Sequence, residues 1–428
     1  MTPATTPGVI EKRARRRIAL RLLPLIFLLY LVAFLDRVNI SFAGLEMAHD
    51  LGFSDRVFGL GSGIFFVGYF LCGIPGAVLV ERWSARRWIG CFLVTWGLVT
   101  ILIAVVRTPL QFYGARLLLG SAEAGFFPGA IVYLTHWFRN EDRAKAAGMF
   151  FAAAPVANII GSPVAGVLLG VRWFGLAGWH WLFVLEGIPA IALGCVTIFF
   201  LTDWPREANW LPAEEKAWIQ RELQRENDEK SFARKLTIWE ALRLREVHSL
   251  TLIYFLAMTG VYGFVFWFPL ILKRASGLTD LQVTLLAALP YLGNLFVMIW
   301  VGWDSDRTRE RRWHTAGPLL VSGVFLAVSL CCGRHVWPAL ASLTVVGASV
   351  LACMPAFWAL ATTLLSDSAA AAAVGLINAV GNLGGFAGPY VIGYLGLLTH
   401  SFLPGLTYLV ASLFLGAALV LTVRIERR

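Results

Sequence analysis

Long apolar runs separated by short polar segments form the pattern of this 428-residue chain. A helix needs about 20 apolar residues to cross the roughly 30 Å hydrocarbon layer of a bilayer. Glycines and polar residues interrupt the fourth and eleventh runs, so these two are the least clearly defined. By length and hydropathy the sequence predicts twelve membrane-spanning helices: 20–43, 57–80, 88–106, 110–135, 148–170, 180–202, 248–272, 282–302, 315–332, 338–362, 370–395 and 404–424.

The first apolar run follows four arginines between positions 13 and 17, an arrangement that secretory signal peptides share. The run is longer than the apolar core of a cleaved signal. Charged residues, Asp36 and Arg37, stand where small cleavage-site residues would be needed. We therefore expect the first helix to remain in the protein.

One long polar segment separates the sixth run from the seventh, and it contains a short amphipathic helical pattern. Loops elsewhere are short, which favours antiparallel neighbouring helices. The sequence thus predicts an all-α integral membrane protein with two six-helix bundles. The expected boundaries are a cytoplasmic tail at 1–19, the first bundle at 20–202, a cytoplasmic linker at 203–247, the second bundle at 248–424 and a second tail at 425–428.

Composition agrees with this pattern, since 58% of the residues are hydrophobic and 14% are charged. Soluble domains contain about 25% charged residues. The composition excludes a disordered chain, a fibrous repeat and an ordinary soluble enzyme.

The net charge of +10 follows the predicted loops. Loops on the side of the N-terminus hold most of the 36 Lys and Arg residues. By the positive-inside rule both termini and the linker face the cytoplasm, and we expect a bacterial inner (plasma) membrane protein. Topology explains the excess charge, so no nucleic-acid partner is predicted. The opposite side holds only Arg56, Arg107, Arg172, Lys273, Arg274 and Arg334.

Cofactor and metal chemistry find no support in the sequence. The six cysteines lie in apolar runs without zinc-ligand spacing, and the seven histidines fall near span ends or in loops. The glycines of 59–63 form no nucleotide loop, because no strand precedes them and no Lys-Ser/Thr follows. We therefore predict no cofactor and no metal site.

The loops after the second and eighth runs repeat one pattern: an acid, an arginine, a spacer and an arginine pair. Such a repeat indicates two related halves, which places a substrate site between them near the middle of the membrane. The pattern consists of Glu81, Arg82, Arg86 and Arg87 in the first half, and Asp306, Arg307, Arg311 and Arg312 in the second.

These loops resemble the inter-helix motif of the major facilitator superfamily. Three further segments resemble its anion:cation symporter branch: FLDRVNISFA (34–43), RLLLGSAEAGFFPGAIVYLTHWF (116–138) and GLINAVGNLGGFAGPYVIGY (375–394). The resemblance implies the twelve-helix major facilitator fold and a carrier of sugar acids, tartrate or aromatic carboxylates. In the first loop Glu81 replaces the commoner Asp and Ser84 replaces the usual Gly, and we expect both departures to affect cytoplasmic gating.

Five charged residues lie within the predicted spans, at Asp36, Arg37, Arg116, Glu123 and Glu186. An unpaired charge at the middle of a bilayer costs at least about 2.5–3.5 kcal/mol, so a functional role is expected for the first four, with a structural ion pair as the alternative. For Glu186 a functional role and a structural ion pair are equally supported. Adjacent Asp36 and Arg37 point about 100° apart. We expect Asp36 to pair with Arg116, which leaves Arg37 for a ligand, and both arginines are candidate substrate-binding residues.

A carrier of organic anions has a use for such charges. An arginine offers a two-pronged donor to a carboxylate, and a nearby acid that gains and loses a proton competes for that arginine. The resemblance to the symporter branch implies that Asp36 and Glu123 are proton-coupling acids and that Arg37 contacts the substrate carboxylate.

Uncharged candidates line the same spans. Tyr69 matches a substrate-contacting position of the branch, although ordinary packing explains it equally well. Asn378 and Asn382 are one turn apart and could bind a polyol or carboxylate, or hold helices together. Tyr262 and Trp358 are candidates for the cavity wall, with packing as the alternative.

The hypothesis from sequence is a proton-coupled symporter that imports a small organic anion, and the alternative is an exchanger or uniporter of the same fold. A membrane sensor or membrane-embedded enzyme finds no supporting motif, so we expect no enzymatic activity. The predicted partners are the organic anion, protons and membrane lipid, and we expect a monomer.

Overall fold

The computed structural model describes residues 7–82, 84–231, 240, 243–333, 335–364 and 367–423. Those residues form sixteen α-helices and no β-strand. The helices are α1 (Pro7–Asp50), α2 (Asp55–Arg82), α3 (Ala85–Ile103), α4 (Pro109–Glu123), α5 (Phe126–Trp137), α6 (Asn140–Leu169), α7 (Gly178–Phe200), α8 (Ala213–Ser231), α9 (Arg245–Ser276), α10 (Asp280–Thr308), α11 (Arg312–Cys331), α12 (Val336–Val350), α13 (Met354–Leu364), α14 (Asp367–Gly381), α15 (Gly384–Thr399) and α16 (Leu403–Thr422).

The described residues contain eleven helices or helix pairs that are long and apolar enough to cross a membrane. They coincide with eleven of the twelve predicted runs. The remaining run, 370–395, falls on α14 and α15, two shorter helices that follow one another directly. The all-α membrane fold predicted from the sequence is confirmed. The short helix expected in the linker is α8, which is polar and carries Glu214 and Glu215 in its first turn.

The fourth run is broken into α4 and α5 directly after Glu123. Pro128 is the third residue of α5. Inside a continuous helix its ring would clash with the carbonyl group four residues earlier. In the first turn of a new helix proline is tolerated, because the N–H group that it lacks would have no helical partner there. Pro355 stands in the same way at the start of α13, so the fourth span of each half is discontinuous. The break places the Glu123 carboxyl group at a helix end inside the membrane.

Small residues set the closest contacts within the first half. Gly97 of α3 and Gly187 of α7 face each other, and a Cβ added to either would lie within 2.8 Å of the other's carbonyl oxygen. Glycine is therefore the residue that allows this approach. The α3–α7, α2–α4 and α1–α6 pairs form the packing of this half, while α9–α15 and α11–α16 form that of the second.

The two halves meet along α2–α15, α6–α10 and α1–α9. At the end away from the termini, Arg274 of α9 makes two hydrogen bonds, of 2.8 and 2.5 Å, to the Asp55 carboxylate of α2. A Cβ on Gly59 would lie 2.5 Å from the Pro389 carbonyl oxygen, so α2 and α15 are in backbone contact there. The halves are thus closed against each other at this end of the molecule.

Candidate functional site

Arg37 occupies the centre of the interface between the halves. Its guanidinium group forms an ion pair with Glu123, the last residue of α4, through Nη2 and Oε1. Its Nη1 donates a hydrogen bond of 3.2 Å to the hydroxyl group of Tyr262 on α9. Arg37 is 7% exposed and Glu123 is 2% exposed. One buried cation therefore connects α1 and α4 of the first half with α9 of the second.

Aromatic rings surround this guanidinium group. The Arg37 Cζ atom lies 5.8 Å from the ring centre of Phe34, 5.5 Å from that of Phe65 and 5.3 Å from that of Tyr69. Ring faces attract cations, and the attraction grows when water is excluded. The rings stabilise the charge without fixing it to one acceptor, so a second anion could replace Glu123 on the same fork.

Arg116 is fully buried one helix away, on α4. Its Nε donates to the carbonyl oxygen of Gly61 at 3.2 Å, and its Nη2 donates to that of Ser62 at 3.3 Å. Its Cζ lies 5.1 Å from the Phe65 ring centre, so the two buried arginines share this ring. Among the described residues its Nη1 has no hydrogen-bond partner. The two carbonyl groups of α2 therefore fix the position of the Arg116 side chain.

The prediction that Asp36 pairs with Arg116 is wrong. Asp36 Oδ2 accepts a hydrogen bond of 3.0 Å from the indole N–H of Trp96 on α3. Asp36 points to α3 because it stands about 100° around α1 from Arg37. Arg116 turns toward α2, and Arg37 takes the carboxylate of Glu123 instead.

A second polar group lies between α1 and α7. Glu186 of α7 is buried and within electrostatic range of Asp36. In the described part of the chain Asp36 Oδ1 lacks a hydrogen-bond partner, whereas the Asn39 side chain lies within hydrogen-bond reach of Glu186. No described Lys or Arg pairs with either carboxyl group, in contrast to Glu123. Two carboxyl groups without a cation therefore lie beside the Arg37 site.

The uncharged candidates divide into two sets. Tyr69 and Tyr262 contact Arg37, and Asn378 lies beside the Tyr69 hydroxyl group. Asn382 instead donates to the Asn378 backbone oxygen at 2.7 Å and side-chain oxygen at 2.9 Å, which bridges the turn after α14. Trp358 packs 5.2 Å from the ring of Tyr254, among aromatic side chains of the second half.

Sequence reasoning missed two tyrosines. The hydroxyl groups of Tyr30 and Tyr254 lie within electrostatic range of Arg37, and Tyr30 stacks 4.0 Å from the Phe150 ring. Helical spacing could have identified them, because Tyr30 precedes Arg37 by seven residues and Tyr254 precedes Tyr262 by eight. Both distances are about two turns, so each tyrosine shares a helix face with a central residue.

Ser84 and Arg86, in the repeated loop of the first half, attach the start of α3 to the linker. Ser84 donates to Asp203 Oδ2 at 2.5 Å, and the backbone N–H of Arg86 donates to Oδ1 at 2.9 Å. Ser84 also accepts from the backbone N–H of Arg87 at 3.3 Å and so caps α3. A glycine could provide neither side-chain bond. The side chains of Glu81 and Arg82 lie outside the described residues.

In the second half the pattern is closed on itself. Arg311 lies 2.7 Å from Asp306, and Arg307 lies over the Trp303 ring at 5.3 Å.

Within the described ranges no three His, Cys, Asp or Glu side chains come close enough to hold a metal ion.

Comparison with known proteins places this architecture in a family. Residues 26–389 match the model of the Major Facilitator Superfamily. A protein of Agrobacterium vitis named "Putative tartrate transporter" is 44% identical over 96% of this chain and 94% of its own length. The "Quinolone resistance transporter" of Acinetobacter baumannii is 37% identical over 98% of this chain and 97% of its own.

A solved structure shares the fold at low sequence identity. The crystal structure of a D-xylose-proton symporter superposes with a TM-score of 0.76 at 15% identity, over 95% of this chain and 98% of that chain. With the match across most of the sequence and the relatives above, the chain is a multi-pass membrane transporter that belongs to the Major Facilitator Superfamily.

Proposed function

We propose that this transporter moves a small organic anion, such as a sugar acid, a dicarboxylate or an aromatic carboxylate, together with protons by alternating access. The observation that carries the proposal is Arg37, a buried cation that bonds to a titratable acid of one half and a hydroxyl group of the other. Discontinuous spans and a site between two repeated halves agree with such a cycle.

Anion binding begins with an exchange of partners on Arg37. A substrate carboxylate takes the place of Glu123, because the guanidinium fork matches two carboxylate oxygens. The hydroxyl groups of Tyr69 and Tyr262 lie beside that fork and can donate to the same anion. Since Tyr262 belongs to the second half, the bound anion contacts both halves and favours their closure around it.

Proton coupling follows from the displacement of Glu123. A carboxylate deprived of its cation inside the membrane costs several kcal/mol as a charge, and a proton removes that cost. Anion binding and proton uptake on Glu123 therefore assist each other. Asp36 already lacks a described cationic partner, and we assign it the second proton-exchanging role.

An exchanger or uniporter of the same fold would use Arg37 and Arg116 without any acid that titrates. The presence of Asp36, buried at 1% exposure and unneeded for anion binding, favours the proton-coupled cycle. The name of the Agrobacterium vitis relative supports a carboxylate substrate. We further propose a monomer in the bacterial inner membrane with both termini in the cytoplasm, as the distribution of Lys and Arg indicates.

A thermal-shift screen of purified protein identifies the substrate. L-tartrate, D-gluconate and benzoate represent the three classes, and the expected result is stabilisation by at least one of them. Arg37→Gln should remove that stabilisation while the protein remains monodisperse. Equal stabilisation of the wild type and Arg37→Gln would contradict the assignment of Arg37.

Proteoliposomes then test coupling with the radiolabelled acid that the screen identifies. With the membrane potential clamped at zero, an acidic exterior should drive accumulation above equilibrium, and a protonophore should abolish it. Protein-free liposomes provide the background. Uptake that stops at equilibrium whatever the pH gradient would reject the symporter and leave the exchanger or uniporter.

A further inference from the structure

A groove of about 840 Å³ lies between α1 and α7 at the end of the molecule that carries the N-terminus. Four arginines of α1 line it, at positions 13, 16, 17 and 21, together with Phe200 at the end of α7 and Trp210 of the linker. Arg13, Arg16 and Arg17 are exposed, and all four arginines lie outside the transport site. The anion site around Arg37 accounts for none of them.

Most of these cations have no internal counter-charge. Arg17 lies 3.1 Å from Glu215 of α8. In the described part of the chain no ion pair is found for Arg13, Arg16 or Arg21. Three positive charges without a described ion-pair partner therefore converge on one groove.

Arg21 is held in place at the base of this groove. Its Cζ lies 4.4 Å from the Phe200 ring centre and 4.8 Å from that of Trp210. Its Nε is buried and has no hydrogen-bond acceptor among the described residues. Among the described residues its guanidinium group has no ion-pair partner, so its charge is available to an external anion.

The wall of the groove continues as an apolar surface. Leu20 is 64% exposed, Val196 45% and Phe200 40%, and all three line the groove. Lipid chains cover such side chains in a membrane. Cationic residues next to an exposed apolar wall at the membrane edge match a phosphate headgroup with acyl chains attached.

We propose that this groove binds one anionic phospholipid. The headgroup phosphate contacts Arg16 and Arg21, and an acyl chain lies along Leu20, Val196 and Phe200. The positive-inside pattern explains the number of arginines on this side of the membrane. The positive-inside rule does not explain why these arginines lie together with two aromatic rings in one groove. A specific ligand would explain it. Free phosphate carries the same charge but leaves the apolar wall unused.

Native mass spectrometry of delipidated full-length protein tests this site. The probes are phosphatidylglycerol and phosphatidylcholine with identical acyl chains, glycerol 3-phosphate and inorganic phosphate. The expected result is one saturable phosphatidylglycerol per protein, with weaker binding of phosphatidylcholine and no displacement by either chain-free phosphate. Equal binding of the two lipids, or displacement by millimolar phosphate, would overturn the proposal.

The double variant Arg16→Gln/Arg21→Gln removes two headgroup contacts. Each basic residue near an anionic headgroup contributes about a five-fold factor, so affinity for phosphatidylglycerol should fall about 30-fold. Arg206→Gln is the matched control, because Arg206 also lies over a tryptophan ring, Trp204, at 5.7 Å but does not line the groove.

The control should bind phosphatidylglycerol as the wild type does. A double variant with unchanged affinity, or a control with the same loss, would contradict a site at this groove. Gel filtration and melting of the lipid-free proteins show whether the variants are folded, and Arg16→Lys/Arg21→Lys, which keeps both charges, should retain most of the affinity.

Discussion

Arg37 and Arg116 are two buried arginines of the same half that share the Phe65 ring, yet their partners differ in kind. Arg37 bonds to a carboxylate and to a hydroxyl group of the opposite half. Arg116 bonds to two backbone carbonyl oxygens of α2. A carboxylate can gain a proton and a separate half can move, whereas carbonyl oxygens within a helix do neither. The partners of Arg37 can therefore change, as the proposed transport cycle requires, whereas those of Arg116 are fixed.

The largest effect should come from Arg37→Gln. The neighbouring Arg116 is held by carbonyl oxygens of α2, so loss of the charge-assisted bidentate contact of Arg37 should lower uptake about 100-fold or more. Uptake of the radiolabelled acid into proteoliposomes measures this loss. Uptake within a few-fold of wild type would remove Arg37 from the site.

Glu123→Gln separates binding from coupling. The amide cannot exchange a proton, so accumulation driven by a pH gradient should fall about 30-fold, a free-energy change of about 2 kcal/mol. Exchange of internal for external substrate should stay near the wild-type rate, because Arg37 remains available. Loss of exchange to the same extent as accumulation would indicate a structural role for Glu123.

Arg116→Lys should reduce uptake less, by about ten-fold, and lower the melting temperature by several degrees. Lysine keeps the charge but cannot reach two carbonyl oxygens in the fork geometry of arginine, and unsatisfied buried groups cost about 1–3 kcal/mol each. Thermal melting in detergent and uptake are measured on the same preparation. A full loss of uptake with unchanged melting would show that Arg116 handles the substrate directly.

Tyr262→Phe removes one neutral hydroxyl group across the halves. A typical hydrogen bond contributes about 1 kcal/mol net, so KM should rise about five-fold with little change in melting temperature. Tyr390→Phe is a matched control, since Tyr390 stacks on Phe386 and Tyr394 without contacting Arg37. A similar rise in the control would mean that the effect is not specific to the Arg37 contact.

The smallest effect is expected at the outer contact of the halves, where Arg274 is 45% and Asp55 20% exposed. Exposed ion pairs contribute about 1 kcal/mol at most, so Asp55→Asn should change uptake less than about three-fold. A double-mutant cycle with Arg274→Gln isolates the pair itself. A coupling energy well above about 1 kcal/mol would contradict a minor role for this pair.

Helix positions and the residues worth attention could be predicted from the sequence, because hydropathy and the high energetic cost of intramembrane charge are local properties of the chain. The break after Glu123 was only partly visible, as a poorly defined fourth run. The turn in the tenth span cannot be predicted from hydropathy, since no charged residue interrupts that run. Pro355 was the available signal there.

The partners of the charged residues could not be read from the sequence. Asp36 and Arg37 were known to point apart, and the chosen pair of Asp36 with Arg116 still proved wrong. Depth in the membrane was similar for several candidates, so depth alone did not select among them. Asp36 meets Trp96 and Glu123 reaches Arg37 through contacts between segments that are distant in the sequence.

The sequence by itself determined a helical membrane protein in two related halves with charges kept at its centre, because a bilayer imposes length, polarity and charge bias on each segment separately. Only the tertiary structure decided which acid meets which arginine, and that Arg37 also bonds to the opposite half. Those choices depend on how neighbouring helices rotate and approach one another, which the packing of side chains from distant segments fixes.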